Sequence, residues 1–85
     1  MAEETIVPFE WKHIEQHHYE CNWHGYRLTA NQDIWKVEHG GLERCGHPRL
    51  VRGARVSAAR RSEIARSNAE GYAFRHFYGR QGNEQ

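Results

Sequence analysis

Eighty-five residues, of which 38% are hydrophobic and 27% charged, allow one small core and leave no room for a second domain. No apolar run approaches the roughly 20 residues of a membrane span, and the opening Met1-Ala2-Glu3-Glu4 is acidic where a secretory leader is basic, so the expected location is the cytoplasm, with no membrane partner. The net charge of +1 conceals an asymmetry: residues 1–43 carry eight carboxylates against three basic side chains, whereas residues 44–85 carry nine arginines, no lysine and three glutamates.

In chain order, Met1 to Thr5 is polar and expected to fray. Residues 1–5 and 80–85 are the expected disordered tails of a single domain. Ile6 to Trp11 turns apolar, and Pro8, which has no N–H, restricts this piece to an edge strand or an extended approach. From Trp11 to Tyr19 the histidines blur the hydrophobic period; the segment reads as extended, with a short helix as the alternative.

Gly25 to Ala30 and Ile34 to His39 read as paired strands around the polar turn Asn31-Gln32-Asp33. Pairing Ala30 with Asp33 sets Leu28 against Trp35 and Tyr26 against Val37 on one face. It leaves Arg27 opposite Lys36 on the other, a like-charge contact suited to a docked acidic group. His39 to Leu42 is the next turn, because paired glycines accept the positive φ of tight hairpins. A three-residue loop there puts Glu38 opposite Arg44 and Val37 opposite Cys45, and the strand ends at Gly46, before Pro48. Residues 49–55 read as a linker centred on Gly53.

Ser57 is a good N-cap, and Ala58 to His76 is predicted helical, with Ile64, Ala65, Asn68, Ala69 and Tyr72 on one stripe. Gly71 weakens the helix, Phe74, Phe77 and Tyr78 form an aromatic cluster, and Gly79 is the predicted stop. The expected fold is α+β: a three- to four-stranded antiparallel sheet packed by one C-terminal helix, in the order βββα.

At that level Gly25-Tyr26-Arg27, Ile34-Trp35-Lys36-Val37 and Ser57-Ala58-Ala59-Arg60-Arg61 resemble the βββα modules of phage-integrase arm-binding domains and of apetala-type plant DNA-binding domains. The order of these elements is also similar to that of small phage and prophage proteins. The resemblance implies a DNA-binding or phage-type protein. Those modules carry basic and polar residues on the open sheet face, however, whereas here the strands are mostly acidic and the arginines lie in the linker and helix.

Four groups of residues invite a chemical role. Arg49, Arg52, Arg55, Arg60, Arg61 and Arg66 place six guanidinium groups within residues 49–66, beside the free amides of a helix start. They suit a nucleic-acid backbone or an acidic protein surface, unless the chain's own carboxylates neutralise them. Cys21-x-x-His24 and Cys45-x-His47 supply four ligand types for zinc, but the spacing is not that of a zinc knuckle and the pairs fall near opposite ends of the sheet. No metal or cofactor is expected, and two cysteines are too few for a disulfide scaffold, so reduced thiols are expected. No Ser-His-Asp order, nucleophile elbow, phosphate-cradling glycine loop or carboxylate pair appears, which argues against an enzyme. Phe9, Trp11, Tyr19 and Trp23 either complete the core or form an exposed patch, in which case Trp11 and Trp23 are the interface anchors.

The charge split points to a polyanion partner for the basic half, or to oppositely charged faces that join two copies as a homodimer. The expected function is a small non-enzymatic binding protein that contacts a nucleic-acid backbone or other polyanion through the arginine-rich linker and helix start. The alternative is a phage-type, anti-CRISPR-like interaction protein that inhibits a host defence complex, with a protein or nucleoprotein as partner.

Overall fold

A computed structural model describes residues 8–50 and 55–83. Five strands and one helix follow in chain order: β1 (Lys12–Glu15), β2 (His18–Trp23), β3 (Tyr26–Ala30), β4 (Trp35–His39), β5 (Leu42–Gly46) and α1 (Ala58–Asn83). The class is α+β, and the sheet is antiparallel throughout, with its strands lying side by side in the order of the chain.

Five strands replace the expected three to four because residues 12–23 fold into a hairpin of their own. Its turns rest on residues that seldom announce one. Gln16 (φ 43) and His24 (φ 50) take left-handed conformations, which non-glycine residues rarely adopt. With Gly25 (φ 80), His24 closes a two-residue turn between Trp23 and Tyr26 in which both central residues have positive φ. That is the type I′ pattern, whose twist matches paired strands.

Both predicted registers need correction. Ala30 pairs with Trp35, so Leu28 meets Val37 and Arg27 meets Glu38, not Trp35 and Lys36. The cause is Asn31. Its Oδ1 accepts the N–H groups of Asp33 at 2.7 Å and Ile34 at 2.9 Å, while its own N–H donates to the Ile34 carbonyl at 2.9 Å. This side-chain turn holds residues 31–34 as a longer loop. A shift of two residues keeps every side chain on its face and puts opposite charges together where like charges were expected.

Between β4 and β5, Gly40 has φ 56 and Gly41 is not left-handed, which gives a two-residue turn of type II′. His39 therefore pairs with Leu42, Val37 with Arg44 and Trp35 with Gly46. A difference of one residue from the expected loop exchanges the faces: Arg44 turns toward the helix and Cys45 away from it.

The helix-covered face carries Cys21, Trp23, Tyr26, Leu28, Ala30 and Val37, all buried. Against it the helix sets Ser62, Ala65, Ala69 and Ala73, also buried, at the three- and four-residue spacing of one helical face. The sheet thus supplies bulk and the helix supplies small side chains, which lets the two layers approach closely. Ile64, Asn68 and Tyr72 of the predicted stripe are half-buried on the flank.

Ser57 caps the helix, its Oγ accepting the Arg60 N–H at 3.2 Å. Past Gly79, the predicted stop, the helix continues to Asn83. Gly79 does not take the left-handed conformation that ends a helix, and packing before it offsets the roughly 1 kcal/mol cost of an interior glycine. Phe77 stacks on His24 at 4.4 Å and meets Trp23 edge-on at 5.3 Å, while the Tyr26 hydroxyl and His76 Nδ1 share a 2.6 Å hydrogen bond.

The aromatic residues before the first predicted strand go into this core. Trp23 is 1% exposed, and Phe9 stacks on it at 4.3 Å. Trp11 is half-buried, its Nε1 donating to Glu70 Oε2 at 2.6 Å. Trp23 is therefore an internal residue, not an interface anchor, and Trp11 is engaged with the helix. Among the described residues, no helix is long and apolar enough to cross a membrane.

Candidate functional site

A groove of about 570 Å³ opens between β5 and one flank of α1. Its walls hold Trp35, Arg44, Arg49, Asn68, Tyr72 and Arg75, with Cys45, Gly46, His47, Ser67 and Gly71 completing them. The local fold explains each wall. The two-residue turn at Gly40 places Arg44 on the helix side of β5, an inward-pointing charge on an edge strand. A Cβ at Gly46 would lie 2.9 to 3.1 Å from three atoms of the Trp35 indole, so only glycine lets the ring rest against the β5 backbone. Tyr72 stands beside that indole at a centroid distance of 5.9 Å, tilted by 39°, and the Arg44 guanidinium lies 5.7 Å from the Tyr72 ring centre. Arg75 follows Tyr72 on the same flank.

At the mouth, the Arg49 N–H donates to Asn68 Oδ1 at 3.0 Å, which ties the chain after β5 to the helix. His47 Nδ1 lies 2.9 Å from the Asp33 carbonyl and must donate to it, since a carbonyl only accepts.

The electrostatics of the groove are one-sided. Three arginines and a histidine line it, and among the described residues no Asp or Glu does. Among the described residues no ion pair reaches Arg44, Arg49 or Arg75. Arginine stays protonated at any physiological pH, and a concave wall of one sign concentrates anions from solution.

The predicted arginine set is dispersed by the fold. Arg49 enters the groove, Arg55 is exposed just before the helix, and Arg52 lies outside the described residues. Arg60 pairs with Glu63 on its own helix at 2.6 Å, and that guanidinium holds the Glu63 carboxyl below its ordinary range. Arg61 is half-buried, with Nη1 donating to the Val56 carbonyl at 2.8 Å and Nε to the Gln32 carbonyl at 3.4 Å, so it fastens the helix start to the β3–β4 loop. Arg66 lies 3.8 Å over the Tyr19 ring, on the β2 side of the helix. Arg44 and Arg75, which the run of linker arginines does not suggest, join Arg49 instead. The signal for Arg44 was its position opposite Val37, legible only with a two-residue Gly-Gly turn; for Arg75 it was helical spacing from Asn68 and Tyr72.

The acidic strands find partners within the sheet, not among these arginines. On the open face Lys36 lies 3.3 Å from Glu43 and 3.7 Å from Glu38, carboxylates that face each other across β4 and β5 and push the lysine pKa up. Arg27 reaches Glu20 at 3.8 Å, as does His18 at 3.5 Å.

The four possible zinc ligands do not meet. Cys21 is 2% exposed beneath the helix, where burial pushes its thiol pKa up, while Cys45 is exposed on the other face. Three strand spacings, about 14 Å, separate β2 from β5. His24 stacks on Phe77, and His47 is held by the Asp33 carbonyl. Among the described residues no group of three or more His, Cys, Asp or Glu side chains is placed to hold a metal ion. No family model matches this chain, and comparison with curated proteins and with solved structures finds no match.

Proposed function

We propose that this protein is a small binding module that grips the phosphates of a nucleic-acid backbone in the groove between β5 and α1, through Arg44, Arg49 and Arg75. One observation carries the reading: three arginines gathered in a concave site whose lining, among the described residues, holds no Asp or Glu. The planar fork of arginine matches the spacing of phosphate oxygens and gives charge-assisted, bidentate hydrogen bonds. Arg52 and Arg55 continue the basic run in the chain that joins β5 to α1. Arg60, Arg61 and Arg66 are engaged within the protein and have no part in it.

The test is fluorescence anisotropy with labelled nucleic acid at two ionic strengths. Three phosphate contacts give a log–log slope of affinity against salt of about −2.1 to −2.7, or a loss of roughly 20- to 40-fold between 50 and 200 mM. The double substitution Arg44→Ala with Arg75→Ala reduces the steepness of that slope by about 2. Both side chains are exposed, so the fold tolerates their loss. Absence of binding at 50 mM salt, or an unchanged slope in the double variant, refutes the proposal.

A further inference from the structure

We infer that the groove takes a single, unpaired nucleic-acid strand, with a base laid against Tyr72 and Trp35 while Arg44, Arg49 and Arg75 hold the flanking phosphates; this rests on the groove being the phosphate site. A surface that grips only a duplex backbone needs cations and amides. Aromatic rings beside those cations add nothing for paired bases, whose faces are covered by their neighbours. They are stacking platforms for unpaired ones.

Trp35 rests against the β5 backbone at Gly46, and Tyr72 runs nearly parallel to His76 at a centroid distance of 6.1 Å; Trp35 and Tyr72 also line the groove. Three pairs elsewhere are stacked more closely: Phe9 on Trp23 at 4.3 Å, His24 on Phe77 at 4.4 Å and Tyr26 on His39 at 4.0 Å. Trp35 and Tyr72 stand 5.9 Å apart and tilted. The cation beside Tyr72 is equally loose. Arg66 sits 3.8 Å over Tyr19, but Arg44 is 5.7 Å from the centre of Tyr72.

The walls also leave room for a flat group. Gly71 contributes no side chain to the lining, and a Cβ there would meet nothing closer than Arg75 Nη1 at 3.7 Å. The volume of about 570 Å³ is that of a small-ligand pocket, within the 300–1,000 Å³ such sites occupy. It accommodates a short stretch of one strand between sheet and helix, not the full width of a duplex.

The experiment compares a labelled short strand of mixed sequence with the same strand annealed to its complement, at low salt. The strand is expected to bind at least about five-fold more tightly, the low end of what one stacked base contributes. Tyr72→Leu keeps apolar bulk against Trp35 and is expected to abolish that preference; Tyr72→Phe retains it. A second readout needs no variant at Tyr72: strand binding quenches tryptophan emission, duplex binding does not, and Trp35→Phe removes the quench. Duplex binding as tight as strand binding, or a preference and quench that survive Tyr72→Leu and Trp35→Phe, overturns the inference and leaves the phosphate reading standing. Failure of both forms to bind removes the two together. Adenosine monophosphate serves as competitor: displacement only in large excess supports a strand, and displacement at equal concentration assigns the groove to a free nucleotide and overturns the strand.

Discussion

Substituting Gly46 by alanine tests how the groove is built. The new methyl would sit 2.9, 3.0 and 3.1 Å from Cζ2, Cε2 and Nε1 of Trp35, against an optimum of about 3.5–4.0 Å between carbon atoms. The indole must therefore retreat by about 0.6 Å or more, and its freedom to do so is limited by Tyr72 beside it and by the core it packs against. Overpacking of this kind costs about 1–3 kcal/mol. Against it stands the 0.4–1 kcal/mol, roughly, that a Gly→Ala change contributes by restricting the unfolded chain. The clash wins. A net loss of about 1–2 kcal/mol lowers the melting temperature of a domain this size by roughly 4–16 °C. Thermal denaturation followed by circular dichroism measures it, with Gly41→Ala as control, since nothing lies within 4 Å of a Cβ at that turn position. Combining Gly46→Ala with Trp35→Phe removes the fused ring that clashes, so the alanine costs less in that background, with a coupling of at least about 0.5 kcal/mol. If Gly46→Ala melts with the parent protein, or costs the same with and without the indole, the account of this wall is wrong.

Two further outcomes follow from buried groups. Ser62 is 1% exposed, and its Oγ donates to the His17 carbonyl at 2.7 Å, tying α1 to the β1–β2 turn; Ser62→Ala leaves that acceptor without its donor and is expected to cost about 1–3 kcal/mol in a denaturant melt, whereas a loss under a few tenths means the contact is idle. Brief alkylation of the native protein with iodoacetamide should modify Cys45 alone, Cys21 reacting only on unfolding, and equal rates at the two thiols contradict the packing. Burial raises the Cys21 pKa, so in alkaline solution the unfolded chain loses this proton first, near the ordinary thiol value of about 8.5. Its contribution to stability is complete below that pH and is lost as pH rises through the higher folded value; Cys21→Ala should flatten that part of the pH–stability curve, and an unchanged curve rules the effect out.

Much of the architecture was legible because alternation and capping are local. The Tyr26-to-His39 hairpin, the Ser57 cap and the burial of Ala65 and Ala69 all follow from neighbouring residues. What escaped depends on side chains that replace backbone in turns. Asn31 lengthens its loop by accepting two backbone N–H groups, and Gln16 and His24 take conformations that composition assigns to glycine. The groove escaped for a different reason. A run of arginines in sequence is not a cluster in space: helix geometry sends Arg60 to Glu63 and Arg66 to Tyr19, while Arg44 and Arg75, distant in the chain, converge only once β5 has its two-residue turn.

The strand order bears on how the protein is made. Each strand pairs with the next in the chain, so the sheet can zip up one hairpin at a time, with little entropy lost per closure. Its cover arrives last. During synthesis the face bearing Trp23, Tyr26, Leu28 and Val37 emerges before Ala58–Asn83 has left the ribosome, and for that interval it is a greasy plate with nothing over it. A message cut short before the helix would yield a chain prone to clumping, and a chaperone that shields apolar surface would find its target in that window.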